Sequence, residues 1–357
     1  MSPNEFEVSG YQPEYRTGIV QLLSNLWGHD YEQNLSHFSW KYEKNPFAKE
    51  PEAYVALHQG RVVGFLGYFV NRWLWGGPDR SFPLPCGSDL IVHPELRRKG
   101  LMRAMHEVAF KELEKRYSHI LVFSPNKDST PGALSLGFIP LVKVERLRKY
   151  SVSSILRNRG KKPAPSDPSD VGPKLGVFGS IEVLDRPLVE QMATLVQNKI
   201  GKTGKITLLK NEDFFAWRYG SERRKYLFYY CWEKNELQGY MILRTASQPP
   251  SGVIIDFEQT ESVVFDRLLR FAIGHVKWAT LTIWDLNLDK EVRRRLRRKN
   301  FIRSGLVERL FRGPKADPFI LLRPSKERFD DQDFWAQGFD LRNPPNWDFK
   351  EICSDIS

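Results

Sequence analysis

The chain has 357 residues, of which 41% are hydrophobic and 27% charged, the composition of an ordinary globular protein long enough for two cores. Lysine plus arginine exceed aspartate plus glutamate by 54 to 43, a net +11 that favours anionic partners without choosing among cofactor phosphates, nucleic acid and membrane. Cys86, Cys231 and Cys353 lie too far apart for a metal site or a disulfide scaffold. Met1 to Tyr11 is no signal peptide, and the apolar run from Val62 to Val70 is too short to span a bilayer. These features predict a cytoplasmic protein without a transmembrane segment.

Glu5 to Tyr11 reads as a first strand. Tyr15 to Trp27 follows as an amphipathic helix carrying Ile19, Leu22, Leu23 and Leu26. A second helix runs from Tyr31 to about Tyr42 and stops at Asn45-Pro46. Strands Ala53 to His58 and Val62 to Phe69 are joined by Gln59-Gly60, a hairpin signal. Leu84 to Val92 is a further strand, Leu101 to Arg116 a helix, His119 to Ser124 a buried strand, Pro131 to Leu136 a short helix, and Phe138 to Tyr150 a last strand region. The order is β-α-α-β-β-β-α-β-α-β.

Ser151 to Gly179 has a linker's composition, with Pro163, Pro165, Pro168 and Pro173 among Ser, Gly and Lys. The same order then restarts. Phe38-Ser-Trp-Lys-Tyr42 matches Phe214-Phe-Ala-Trp-Arg-Tyr219, pairing Trp40 with Trp217, Lys41 with Arg218 and Tyr42 with Tyr219. A hairpin ending on a Gly-aromatic pair follows each, Gly64-Phe65 and Gly239-Tyr240. Gly252 to Phe257, Glu261 to Trp278, Leu281 to Leu286 and Asp289 to Lys299 continue the second copy. The expected organisation is an N-terminal unit over 1–150, a linker over 151–179, a second copy over 180–315 and a tail over 316–357.

One segment carries ligand chemistry. Asp89-Leu-Ile-Val-His-Pro-Glu-Leu-Arg-Arg-Lys-Gly-Leu-Met102 is a strand that stops at Pro94, turns basic and opens a helix. Backbone N–H groups at a helix start beside arginines form a ready anion site, suited to a pyrophosphate. On these residues the sequence resembles the GNAT superfamily of acyl-CoA N-acyltransferases, whose fingerprint is a strand, [R/Q]-x-x-G-x-[G/A] opening a helix, another strand and a late Gly-Phe pair. Arg97-Arg-Lys-Gly100-Leu-Met102 matches the first Arg and first Gly, and Gly137-Phe138 matches the late pair. The paired Trp-Lys/Arg-Tyr segments resemble two-domain members, several of which sit among bacterial surface-polysaccharide genes. The likeness covers residues 5 to 150 well and 180 to 312 in outline.

The resemblance implies an α/β fold of two tandem GNAT-like domains, each a mixed, mostly antiparallel sheet flanked by helices. It also implies acetyl-CoA as co-substrate and a small-molecule amine as acceptor, an amino sugar being the first to consider. Amides of Arg98, Lys99, Gly100, Leu101 and Met102 would hold the pyrophosphate, with charge from Arg97, Arg98 and Lys99. Pantetheine would pair with Leu90, Ile91 and Val92, one of whose N–H groups could polarise the thioester carbonyl. Asn126 stands where the family often has an asparagine beside pantetheine. An acceptor amine needs a base. Asp89 is the first candidate, ahead of Asp128 and His93, and its bland alternative is a strand-end carboxylate capping local amides. Met102 replaces the second small residue of the fingerprint, so its side chain must point away from the phosphates. Ala133 stands where many members have a tyrosine acid, a loss the low thiol pKa makes survivable.

Other constellations point elsewhere or nowhere. Glu258 to Glu261 in the second copy would repel a pyrophosphate, so no cofactor site is expected there. Arg293-Arg-Arg-Leu-Arg-Arg-Lys299 reads as a solvated helix face before a nucleic-acid or membrane contact. His93, His106 and His119 form no metal-ligand pair, and Asp285 to Asp289 lacks a calcium loop's glycine and distal Glu, so no metal is expected. The sequence-based expectation is an acyl-CoA-dependent N-acetyltransferase. The alternatives are a Fem-type aminoacyl transferase, which would not need the R-x-x-G loop, and a non-catalytic binding protein of the same fold.

Overall fold

The computed structural model describes residues 6–77, 79–123, 129–151, 173–201, 204–221, 223–247, 250–304, 319–336 and 338–354. The first copy runs β1 (Glu7–Gly10), α1 (Arg16–Trp27), α2 (Tyr31–Phe38), β2 (Glu52–His58), β3 (Arg61–Trp75), β4 (Ser81–Val92), α3 (Leu101–Leu113), β5 (His119–Phe123), α4 (Thr130–Ser135), β6 (Ile139–Lys143) and β7 (Arg146–Tyr150). Local chemistry sets the ends. Asp30 caps α2 by accepting the Gln33 N–H at 2.9 Å. Gln59 and Gly60, at φ of 50° and 75°, form the left-handed two-residue turn that suits strand twist. A π-helical turn over Ser39–Glu43 extends α2, where a continuous helix was expected, and it aims Lys41 and Tyr42 at β4.

The second copy runs β8 (Gly176–Phe178), β9 (Ile181–Leu184), α5 (Val189–Gln197), β10 (Ile206–Leu208), α6 (Glu212–Arg218), β11 (Lys225–Glu233), β12 (Glu236–Ser247), β13 (Pro250–Gln259), α7 (Ser262–His275), β14 (Thr280–Trp284), α8 (Lys290–Arg298) and β15 (Ile302–Arg303). Its hairpin β11–β12 turns through Lys234 and Asn235, again both left-handed. Gly176–Phe178 forms an edge strand, although its composition placed it in the linker. After the copy come β16 (Phe319–Pro324), the two-stranded pair β17 (Trp335–Ala336) and β18 (Phe339–Asp340), and β19 (Trp347–Asp348).

The architecture is mixed α/β, two mostly antiparallel sheets flanked by helices. The first sheet is ordered β1-β2-β3-β4-β5-β16-β6, with β10 pairing the far end of β3 and β19 pairing β10. The second is ordered β15-β7-β14-β13-β12-β11-β9-β8. The seven strands of the first path have counterparts in the second, where β8 is an additional edge strand, and one position is exchanged. β7 leaves the first copy to pair with β14 and β15, while β16 follows the second copy and slots between β5 and β6. The strand region expected over Phe138 to Tyr150 is therefore split between the sheets. The segment expected as a tail supplies the central apolar run Ile320-Leu321-Leu322, all fully buried.

The first sheet is covered on one face by α1 and α2, through Ile19, Leu23 and Phe38 against Val55, Phe65 and Ile91. On its other face α3 contributes Met105, Ala109 and Phe110 against Tyr54, Leu66 and Tyr68. A further core joins the sheets, with Phe69, Trp73 and Cys86 meeting Phe228, Tyr240 and Ile242. At its centre Trp40 and Trp217 stack at 5.4 Å and 15°. No helix among the described residues is long and apolar enough to cross a membrane.

Candidate active site

The site begins where a ladder ends. β4 and β5 are parallel and paired only at Cys86–Leu121 and Gly87–Val122, yet β4 continues to Val92. From Ser88 onward β4 is laddered only to β3, so its β5-facing edge opens as a wedge. Close approach at the apex needs Gly87, since a Cβ there would sit 3.0 Å from the Val122 side chain. The β3–β4 register slips between Leu66 and Tyr68, leaving Ser88 and Asp89 opposite Gly67 alone. This bulge re-aims Asp89 toward α1 and α2.

Beyond Val92 the chain makes a 3-10 turn over Pro94–Leu96, then a basic loop into α3. Arg98 (φ 64°) and Gly100 (φ 82°) are both left-handed, and Gly100 is the N-cap of α3 with no side-chain cap on the first amides. Alternating handedness turns successive N–H groups toward one side, the geometry of an anion nest. Arg97, Arg98, Lys99 and Gly100 are exposed, and Arg97 Nε donates to the Val92 carbonyl at 3.2 Å. Leu101 is a core residue, so it offers only its backbone. Met102 packs toward α4, its thioether so near Gly132 that a Cβ there would meet Cε at 2.8 Å. Leu90 and Val92 pack toward α3 and Ile91 toward α1, which leaves backbone as what they present along the wedge. Asn126 and Asp128 lie outside the described residues.

Asp89 is heavily engaged. Its carboxylate accepts from Lys41 Nζ at 2.6 Å, Tyr42 Oη at 2.6 Å and Trp27 Nε1 at 3.1 Å. Burial favours its neutral form, but Lys41 and the donated hydrogen bonds win and hold it below the usual carboxylate range. Tyr42 Oη also lies 2.8 Å from Ser88 Oγ, so one hydroxyl spans both bulge residues. Only glycine at 67 leaves room for it, since a Cβ there would stand 2.6 Å from Tyr42 Cζ. Sequence reasoning singled out Asp89 but not its partners, whose contact depends on the π-helical turn.

The second copy reaches this wall. Arg223 stacks over Trp27 at 5.6 Å and donates to Asn34 Oδ1 at 3.1 Å and to the Trp27 carbonyl. Ser221 Oγ lies 3.2 Å from His37 Nδ1. Burial, aided by Lys41 and Arg223, pushes the His37 imidazole down to about 3, so the ring is neutral.

The second copy repeats the bulged strand without the loop. Val92 lies opposite Gly64 and Gln259 opposite Gly239, which aligns Asp89 with Asp256, each three residues earlier. The β12–β13 register slips beside Asp256 as the β3–β4 register slips beside Asp89. Asp256 accepts from Lys210 at 3.0 and 3.1 Å and from Tyr240 Oη at 2.8 Å. Beside it, burial of Glu258 is outweighed by Lys210, Lys350 and Lys199, which hold its carboxyl well below the usual range. Lys350 Nζ also donates to the Phe257 carbonyl at 2.8 Å. Phe257 is the counterpart of Leu90, so a lysine from the C-terminal segment takes the edge that pantetheine would use in the first copy. A cleft of about 120 Å³ remains there, lined by Lys199, Thr207, Lys210, Glu258, Asp348 and Lys350.

The sequence over residues 19–138 matches the family model described as Acetyltransferase (GNAT) family. No curated protein matches the chain. Among solved structures, a GCN5-related N-acetyltransferase from Anabaena variabilis ATCC 29413 is similar in fold at a TM-score of 0.61 and 13% identity, over 90% of this chain and 73% of that one. A conserved protein from Enterococcus faecalis V583 described as a probable N-acyltransferase gives 0.60 and 11%, over 92% and 74%. A GCN5-related N-acetyltransferase from Kribbella flavida gives 0.55 and 12%, over 90% and 72%. The matched segment contains the wedge, the bulge, the basic loop and α3, and residues 19–138 therefore form a domain of the GNAT acetyltransferase family.

Proposed function

We propose that the protein transfers an acyl group from acyl-CoA, acetyl-CoA in the first instance, to the amine of a small molecule, with an amino sugar as the acceptor to try first. The wedge between β4 and β5 carries this reading, because it leaves a run of β4 backbone beside a basic, left-handed loop at the start of α3. A pantetheine arm is a chain of amides and can pair with that edge. The pyrophosphate would rest on the amides of Arg98 to Met102, with Arg97, Arg98 and Lys99 balancing its charge.

The chemistry asked of the protein is modest. The amine lone pair attacks the thioester carbonyl carbon, the C–N bond forms, the nitrogen sheds its extra proton to water, and the C–S bond breaks. The sulfur departs as thiolate, because a thiol pKa near 8.5 needs little help from a proton donor at neutral pH. Ala133 is then no obstacle. A β4 N–H on the wedge would bear the developing oxyanion. The acceptor would approach from the side of Trp27 and Asp89, where Arg223 of the second copy supplies part of the wall.

Thermal unfolding with and without acetyl-CoA tests this. Ligand at a hundred times its dissociation constant adds about 2.7 kcal/mol, and Gly100→Asp should abolish that gain by placing a carboxylate in the nest. Space around Gly100 is open, and Asp tolerates a left-handed backbone better than most residues, so the variant should fold. A wild-type protein whose melting ignores acetyl-CoA sinks the proposal. A shift followed by no turnover on any amine favours a binding protein, and turnover only with aminoacyl-tRNA favours the Fem-type reaction.

A further inference from the structure

The carboxylate best placed to be taken for the general base has the contacts of a structural clamp. We propose that Asp89, Lys41 and Tyr42 lock the β4 bulge and so fix the backbone N–H that meets the thioester, Asp89 being a positioning residue rather than the proton acceptor. This rests on the acyl-transfer reading for its catalytic consequence.

Three observations carry it. First, the carboxylate is already committed: three side-chain donors converge on it, leaving little of its accepting capacity for an incoming ammonium. Second, the donors tie the bulge from both of its residues. Tyr42 Oη donates to Asp89 Oδ2 and accepts from Ser88 Oγ at 2.8 Å, and that same Ser88 Oγ lies 3.2 Å from the Gly67 carbonyl on the neighbouring strand. A bulge is a local irregularity with more than one available twist, and this network selects one. Third, the second copy repeats the chemistry where no cofactor is expected. Asp256, at the corresponding register position, is held by a lysine and a tyrosine, yet Lys210 and Tyr240 come from other places in the chain than Lys41 and Tyr42. Glu258 stands beside it and Lys350 covers the equivalent edge. An Asp–Lys–Tyr clamp assembled twice from different segments answers a need of the bulged strand. A base would be needed in the reacting copy alone.

The consequence concerns proton flow. With Asp89 committed, the attacking amine must arrive neutral or lose its proton to water, and the rate should follow deprotonation of the acceptor itself. Activity would then climb with pH toward the acceptor's own pKa, near 10 for an alkylamine.

The test compares Tyr42→Phe, Asp89→Asn and Asp256→Asn with the wild type. Readouts are CoA affinity, kcat, the pH dependence of kcat/KM, and amide hydrogen exchange at Ser88 to Val92. Tyr42→Phe keeps the ion pair and should lower kcat about tenfold, a lost positioning contact being milder than a lost oxyanion donor. CoA affinity should stay within about twofold, since the basic loop is untouched. Exchange at Ser88 to Leu90 should rise, and the pH profile should keep its shape in Tyr42→Phe and in Asp89→Asn. Asp256→Asn should lower the melting temperature and leave kcat alone. Asp89→Asn leaves Lys41 buried without its carboxylate, so Tyr42→Phe decides the matter if that variant does not fold. The lock is overturned if Tyr42→Phe has wild-type kcat and exchange, or if Asp89→Asn folds and loses the rising limb. Absence of CoA binding by the wild type would instead remove the acyl-transfer reading, and the exchange measurement would still judge the lock.

Discussion

The indole N–H of Trp40 donates to the Trp217 carbonyl at 2.5 Å, and the indole N–H of Trp217 donates to the Trp40 carbonyl at 2.7 Å. Corresponding residues of the two copies thus satisfy each other, as residues do across a two-fold axis. The relationship explains why one aromatic motif occurs twice. Each indole N–H finds its buried acceptor in the other copy.

This pair gives a first prediction. Trp40→Phe and Trp217→Phe each keep a ring in the stack but remove one buried hydrogen bond, at a cost of about 0.5–1.5 kcal/mol, the Trp217 carbonyl still accepting from the Gly220 N–H at 3.0 Å. The double variant should lose less than the sum of the singles, because the two bonds share one geometry. Urea unfolding of the three proteins measures both statements, and additive losses would contradict them.

Gly67 supplies a second. Alanine there displaces Tyr42 and should cost about 1–3 kcal/mol by overpacking, while slowing acyl transfer more than it weakens CoA binding. Gly77, with nothing within 4 Å of a built Cβ, is the matched control and should accept alanine without loss. Equal behaviour of the two variants would argue against a constraint at the bulge.

The third concerns pH. Burial, the first cause at each, lowers His37 to about 3 and His106 and His119 to about 4, from an ordinary value of 6.5. Unfolded chains bind these protons first, so stability is full above about pH 6.5 and falls as the pH drops toward 4. The slope is about 1.4 kcal/mol per pH unit for each ring while it stays neutral in the fold and charged when unfolded. Asp89, held low by Lys41, adds to the loss only at more acid pH. Urea midpoints recorded from pH 7 to pH 5 should decline, and a flat series would count against the burial of these rings.

Much of the first copy was legible in the chain because its strands alternate cleanly and its helices carry regular apolar faces. Leu84 to Val92 and the helix after Gly100 could be read directly. The correspondence of Trp40 with Trp217 and of the hairpins behind them could be read from the chain too. The exchange of β7 and β16 was not. Alternation in Arg146–Tyr150 or Phe319–Pro324 says that a strand has a buried face, not which sheet buries it, and short connections normally favour the nearest neighbour. The partners of Asp89 were hidden for a related reason. Lys41 and Tyr42 sit 48 and 47 residues away, and a π-helical turn rather than an α-helical one aims them.

The exchanged strands bear on how the molecule is made. During synthesis the first sheet holds β5 and β6 with an empty slot between them until residue 324 has left the ribosome, about half the chain later. The second sheet has the opposite experience, since β7 is ready before any of its neighbours exist. Neither half can finish as an independent unit, and an early-stopped chain exposes the unpaired edges of β5 and β6, which invite association with other chains. Translation thus runs nearly to its end before the first sheet is closed, and a stop codon anywhere before β16 should leave an insoluble product rather than a smaller folded protein.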